Sequence, residues 1–343
     1  MVPPTPSGPR GRRPTLADVA ARAGVSTALV SIVMRGAKGA GEATRERVLQ
    51  AAREIGYRPD TRARLLRSHR SHLLGVRFGL QQPFHADLVE GLYAVAEPAG
   101  YQLALSAVTA GRDEERAAQS LLDDRCEALI LLGPQAPAAR LAELAARLPV
   151  VSVARRLRPA VPGVEVVRTA DEQGARQAVD HLVGLGHRDI VHVDGGRAPG
   201  AADRRRGYRT ALRRHGLAER ARVVAAGPNE EDGARAAREL LAGPPFTAVL
   251  AFNDHCASGV LDVLVRSGVE VPGRVSVVGF DDSSLARLAH VDLTTVAQDV
   301  ARLADLAVGR AISRLEGEET PGETVVAPRL VVRGTTAAPR DGS

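Results

Sequence analysis

The chain has 343 residues, 44% hydrophobic and 25% charged, with a formal net charge of +6; that length allows two or three domains around a substantial core. No uncharged apolar run reaches about eighteen residues, so no membrane span is expected. The Pro-, Gly- and Arg-rich start, 1–14, lacks the apolar stretch of a secretory signal, which points to a cytoplasmic protein. Cys126 and Cys256 lie far apart and suggest neither a disulfide framework nor a zinc site, only small buried hydrophobes. Basic residues outnumber acidic ones by 14 to 5 in residues 1–70, whereas acidic residues slightly predominate beyond. The first fifth therefore suits a polyanion and the remainder a near-neutral domain.

Residues 15–56 read as three short helices. Thr15 is placed to cap the first, and Asp18 to reach back in a capping box. Leu16, Val19, Ala20 and Ala23 share one face, and Gly24 suits the positive φ of a tight turn. Ser26 caps a second helix through about Met34, with Val30 and Val33 facing inward. A third, Thr44 to Ile55, packs through Val48, Ala52 and Ile55 and stops at Gly56. Two helices joined by a short Gly-containing turn and buttressed by a third form a helix-turn-helix. Pro59 then breaks the chain, and Asp60 caps a short helical stretch to about Ser68.

From Leu73 onward, apolar strands alternate with amphipathic helices. Strands are expected at Leu73–Phe78, Leu103–Ser106, Ala128–Leu132, Val150–Val153, Ile190–Val193, Ala248–Ala251 and Val275–Gly279. Continuous apolar strands between helices imply parallel sheets covered on both faces. The stretch Glu114 to Gly133 parallels Glu230 to Phe252: an acidic start, an Ala-rich helix ending in Leu-Leu, then an apolar strand. Two such halves suggest two lobes facing a cleft, with the ligand beyond the carboxyl ends of the strands.

Thr15-Leu16-Ala17-Asp18-Val19-Ala20, Ala23-Gly24-Val25-Ser26, Val30-Ser31, Thr44-Arg45, Gly56-Tyr57 and Pro59 closely resemble the DNA-binding segment of the lactose-repressor (LacI/GalR) family. The resemblance runs on through His181-Leu182, Leu185-Gly186-His187-Arg188, Arg204 with Gly207-Tyr208, Asn253-Asp254, Val277-Val278-Gly279-Phe280-Asp281-Asp282, Leu293-Thr294-Thr295-Val296 and Gln298. It implies an all-α helix-turn-helix DNA-binding domain (15–58) after a basic tail (1–14), then a hinge (59–70). An α/β two-lobed, periplasmic-binding-protein-like sensor of parallel sheets (71–338) follows. The lobes are expected at about 71–170 with 299–322, and 171–298 with 323–338. The family further implies a homodimeric repressor on a pseudo-palindromic double-stranded DNA operator, controlled by a small effector, with no cofactor.

By the same resemblance Thr27, Ala28 and Ile32 take base-reading positions, and Ser26 and Ser31 contact phosphates. Thr15, Leu16, Arg35 and Tyr57 complete the DNA-facing set of the helical domain. Ala28 and Ile32 meet a thymine methyl but offer no hydrogen bond, so the operator sequence stays open. In the hinge, Leu66 matches the leucine that wedges into the minor groove, with Ala63 beside it and Arg62 on the same segment; the other reading is a basic linker. Phe84, Arg155, Arg204, Asn253, Asp281 and Gln298 are the carried-over cleft residues. Arginine, aspartate and amide groups together suit a sugar or another polyhydroxylated molecule. Pro228, Ala154 and the absence of Trp depart from the family's pattern and leave a nucleoside as the alternative. No phosphate-cradling glycine motif, H-E-x-x-H or G-x-S-x-G supports an enzyme; His181 and His187 read as a helix-end and turn pair. A solute-binding protein of the same sensor fold is the remaining rival.

Overall fold

The computed structural model describes residues 14–34, 39–57, 70–318 and 322–340. They belong to two units, 1–70 and 71–343. In the first, the Thr15 amide and hydroxyl both donate to Asp18 Oδ2 at 2.7 Å, and the Asp18 amide donates to Thr15 Oγ1 at 3.4 Å. This reciprocal cap starts α1 (Leu16–Ala23). Gly24, at φ +67, ends it, and the chain bends by 104° into α2 (Thr27–Met34), the crossing of a helix-turn-helix. The third helix, α3 (Glu42–Glu54), begins earlier than the expected Thr44 because Gly41 supplies its extended N-cap. Val19, Ala23, Val30, Val33, Val48 and Ala52 close the core of this unit. Arg35 and residues 59–69 of the expected hinge (59–70), with Arg62, Ala63 and Leu66, lie outside the described residues.

The second unit holds two six-stranded sheets. The first combines β1 (Leu73–Gly79), β2 (Gln102–Val108), β3 (Ala128–Leu132), β4 (Val150–Val153), β5 (Val164–Thr169) and Glu323–Val326, every pairing parallel. The second combines β6 (Ile190–Asp194), β7 (Arg222–Ala225), β8 (Ala248–Ala251), β9 (Ser276–Asp281), β10 (Thr294–Ala297) and Arg329–Val331, the last antiparallel to β10. In β3, Ala128, Ile130 and Leu132 enter one core while Leu129 and Leu131 enter the other. That alternation explains why the strand is apolar throughout. The chain passes between lobes at Ala170, at Gln298–Asp299 and between Val326 and Arg329. The last crossing corrects the boundary expected at 322: Glu323–Val326 pairs with β5 in the first lobe, and only residues beyond it join the second.

Order β2-β1-β3-β4-β5 in the first sheet and β7-β6-β8-β9-β10 in the second both reverse direction next to their first strand. Loops after β1 and β3, and after β6 and β8, therefore diverge and leave a crevice at the carboxyl ends. This topology decides where a ligand can sit.

In the second lobe, helices Glu230–Leu241 and Asp254–Arg266 approach so closely that a Cβ on Gly259 would lie 1.9 Å from the Glu230 carbonyl oxygen. Gly233 meets the Cys256 carbonyl oxygen at 2.0 Å in the same way. Both contacts are with backbone, which cannot rotate aside. Gly259→Ala should therefore destabilise the sensor by about 3 kcal/mol, the upper end of overpacking. Urea unfolding measures this, and a loss within about 0.5 kcal/mol, typical of a harmless surface change, would show that the crossing yields.

Candidate functional site

On the helical unit, Ser26, Thr27 and Ala28 are exposed at the start of α2, and Ser31 and Ile32 are partly exposed one turn on. Ser26 Oγ accepts from the Leu29 amide at 3.2 Å, capping the helix while its own hydrogen stays available to a phosphate. Thr15, by contrast, has its side chain engaged by Asp18. Leu16 and Tyr57 pack against the helical core. These three of the expected DNA-facing residues have clear structural work, whatever else they touch.

In the sensor, Phe84, Arg204, Asn253, Asp281 and Gln298 converge on one pocket, with Gln82, His85, Ala154, Pro199 and Phe252. They arrive as the topology requires: Phe84 after β1, Ala154 after β4, Pro199 after β6, Asn253 after β8, Asp281 at the end of β9 and Gln298 just past β10. The pocket is tight, about 20 Å³, room for about one water.

Arg204 is its centre and is 5% exposed. Its Nε donates to Asp171 Oδ1 at 2.8 Å, Nη1 to the Phe252 carbonyl at 2.7 Å, and Nη2 to Asp281 Oδ1 at 3.4 Å. The guanidinium also lies over Phe280, 3.6 Å from its centroid, and Phe252, at 4.7 Å. Gly200 makes this possible, since a Cβ there would sit 2.8 Å from Asp171 Oδ1, at φ +82. The next residues of the arginine run diverge: Arg205 pairs with Asp194, and Arg206 with Asp203 and Glu172.

Gln298 acts as a strap. Its Oε1 accepts from Thr169 Oγ1 at 2.5 Å, at the end of the first lobe's β5, and its Nε2 donates to Asp281 Oδ1 at 2.7 Å in the second lobe. Asn253 caps the helix Asp254–Arg266 by accepting from the Cys256 amide at 2.8 Å, which fixes its orientation and leaves its NH₂ group free to donate to a ligand. Asp281 holds φ +112, a conformation disfavoured for a side-chain-bearing residue.

The acid cluster is electrostatically unusual. Burial pushes Asp281 up to about 7; Arg204 opposes this and Asp254 adds to it. Burial also raises Asp254 to about 6, although it accepts from Thr295 Oγ1 at 2.5 Å and the Ser283 amide at 2.7 Å. Asp171 shifts upward for the same first reason, with Arg204 pulling back. Burial, then the nearby Arg77, drives His85 down to about 4, and its Nδ1 accepts from the Gly79 amide at 3.0 Å. Asp171 and Asp281 thus share one buried guanidinium, and Asp254 adds its repulsion beside Asp281.

Arg155 does not line this pocket. It lines a neighbouring cavity of about 450 Å³ that shares Pro199 with it, and its Nη1 is buried without a hydrogen-bond partner. Asp171, Phe252 and Phe280 are not among the cleft residues expected from the sequence. Only the chain crossing at Ala170, invisible before the strands are ordered, brings Asp171 under Arg204. His181 and His187 tie down the C-terminal segment: His181 Nε2 lies 3.0 Å from Thr336 Oγ1, and His187 Nε2 2.9 Å from the Ala337 carbonyl.

Residues 15–60 match the family described as bacterial regulatory proteins, lacI family, and residues 179–336 match the periplasmic binding protein-like domain. The transcriptional regulator GalR of Escherichia coli (strain K12) is 34% identical over 95% of this chain and 96% of its own. The regulator CelR of Thermobifida fusca is 34% identical over 94% and 96%. Among solved structures, the lac repressor dimer bound to operator and an anti-inducer is similar at 29% identity and TM-score 0.82, covering 95% of this chain and all of that one. The CelR–cellobiose complex is similar at 31% identity and TM-score 0.70, covering 94% of this chain and 100% of that one.

Proposed function

The chain belongs to the LacI family of bacterial regulatory proteins and is a helix-turn-helix transcriptional regulator; from that premise we propose that it represses transcription as a homodimer whose operator affinity is set by a saccharide held between the lobes of its sensor. The observation that carries the ligand class is the pocket itself. A buried guanidinium, a carboxylate and an amide converge at the carboxyl ends of the second sheet, the set that recognises neighbouring hydroxyls. The pocket admits a group about the size of one water, so Arg204 and Asp281 hold a hydroxyl that the saccharide inserts there, Asn253 donates from its NH₂ group, Phe84 and Phe252 supply apolar walls, and Gln298 links ligand to interlobe strap.

The domain scheme we adopt is 15–58 for DNA binding, 59–70 for the hinge and 71–338 for sensing. Ser26, Thr27, Ala28, Ser31 and Ile32 face the major groove, while Arg62, Ala63 and Leu66 serve the minor groove. A two-fold protein meets a two-fold site, hence the pseudo-palindrome. A coupling of about 1–3 kcal/mol between sensor and hinge changes DNA affinity about 5–150-fold. Binding needs no turnover, so we read the protein as a regulator without enzymatic activity, working in the cytoplasm beside its DNA.

Two measurements test this. Selection of genomic fragments on the purified protein should yield an inverted repeat. Affinity for it should fall about 10³–10⁵-fold between about 50 and 200 mM salt if six to ten phosphates are contacted. A salt-independent affinity, or no saccharide that alters it, would remove the proposal.

A further inference from the structure

The cavity beside the deep pocket has a composition that a neutral sugar does not call for. It measures about 450 Å³, within the range of small-molecule sites. The segment after β4 contributes Arg155, Arg156 and Arg158 from the first lobe, and the segment after β6 contributes Arg197 from the second. Among the described residues, no hydrogen bond or salt bridge from a side chain satisfies any of these four, and Arg155 Nη1 is buried without a partner. The one acid lining the cavity, Asp203, is bonded to Arg206, which also donates to Glu172 at 3.0 Å. Glu323, the carboxylate that senses Arg156 and Arg158, is bonded to Arg168 at 2.6 Å. The nearby acids are therefore already neutralised, and the four guanidiniums are not.

Guanidiniums from opposite lobes lining one cavity oppose the lobes' approach, because like charges repel most where water is thinnest. An anion between them reverses that sign and favours approach. Arginine's planar fork suits phosphate and carboxylate equally well. The cavity also receives the start of the helix Ala201–Arg214, whose Gly200 cap provides no side-chain acceptor, so the helix dipole adds to the positive field. Pro199 lines both spaces, so they adjoin; a molecule seated in the larger one with a hydroxyl directed past Pro199 meets both sets of groups.

We infer that the effector is an anionic saccharide: one hydroxyl meets Arg204 and Asp281, and a phosphate or carboxylate on it is held by Arg155, Arg156, Arg158 and Arg197. This rests on the saccharide reading above and specifies its charge.

The full-length protein is titrated calorimetrically with neutral hexoses and disaccharides, each beside its monophosphate and its sugar acid. At about 50 mM NaCl the charged member should bind at least about 10-fold more tightly than its neutral parent, and about 500 mM NaCl should shrink that ratio. Whether the phosphate or the acid is preferred identifies the source of the charge. Arg158→Gln combined with Arg197→Gln, both at exposed positions, should abolish the preference with thermal unfolding unchanged. Equal affinities for charged and neutral members, or a ratio that survives the double substitution, would overturn the inference while leaving the saccharide reading in place. Inorganic phosphate binding as tightly as any sugar phosphate would overturn it too, since the sugar would then be irrelevant. If no saccharide binds, both readings fall.

Discussion

Arg204→Ala is expected to cost the sensor about 3–5 kcal/mol and to remove effector control, leaving a protein that responds to no saccharide. The magnitude follows from what the guanidinium leaves behind. Asp171 loses its 2.8 Å partner, Asp281 loses one of two donors, and the Phe252 carbonyl loses a 2.7 Å bond. All three lie in the interior, where removing one member of a charge pair strands the other. Phe280 and Phe252 also lose the cation lying over their rings. Arg204→Lys keeps the charge but not the fork, and should recover only part of the loss. The diagnostic comparison is Arg204→Ala with Asp281→Asn: if stranded charge is the cause, the double variant is more stable than the two single losses predict. Urea unfolding reads this, and strict additivity would sink the account.

That centre was only half legible in the sequence. Arg204 and Asp281 were expected together because the family resemblance placed each in the cleft, and the structure joins them at 3.4 Å. Arg155 was expected with them but lines the adjoining cavity. A residue two positions past a strand end can face either space, and only the path of the chain after β4 decides. Asn253 and Gln298 look like ligand groups by type, yet each has a structural bond: one caps a helix, the other straps two lobes. Side-chain type does not reveal such prior commitments. Apolar runs in β3 and β8 were readable because both sheet faces are covered. The edge strand Arg222–Ala225 and the short Glu323–Val326 were not singled out; both carry exposed or half-exposed residues that blur the apolar signal. Misplacing Glu323–Val326 in the other lobe has the same origin, since pairing with β5 lies more than a hundred residues back along the chain.

Effector affinity is expected to rise with pH through the range about 6 to 8, with protons released on binding. Asp281, raised to about 7 by burial against the pull of Arg204 and with the push of Asp254 and Asp171, is partly protonated in the free protein at neutral pH. A protonated carboxyl spends one oxygen as a donor, whereas a saccharide's hydroxyls need acceptors. Binding therefore favours the carboxylate, lowers its pKa and expels the proton. Stability runs the other way. A folded pKa above the ordinary 3.8 means that the folded state holds the proton more tightly, so the Asp281 contribution is fully present below about 4 and is lost as pH rises to about 7. At about 1.4 kcal/mol per unit, that loss amounts to a few kcal/mol. His85 and His192, both driven down to about 4 by burial, oppose it, because neutral buried imidazoles lose stability as pH falls below 6.5. The raw pH–stability curve mixes these signs, but the difference between the native chain and Asp281→Asn isolates one group. That difference should shift in favour of the asparagine variant by a few kcal/mol between about pH 4 and pH 7, and calorimetry of the variant should show no proton release near neutrality. A flat difference curve would mean that Arg204 and Gln298 keep Asp281 ionised throughout, with the pocket permanently poised as an acceptor.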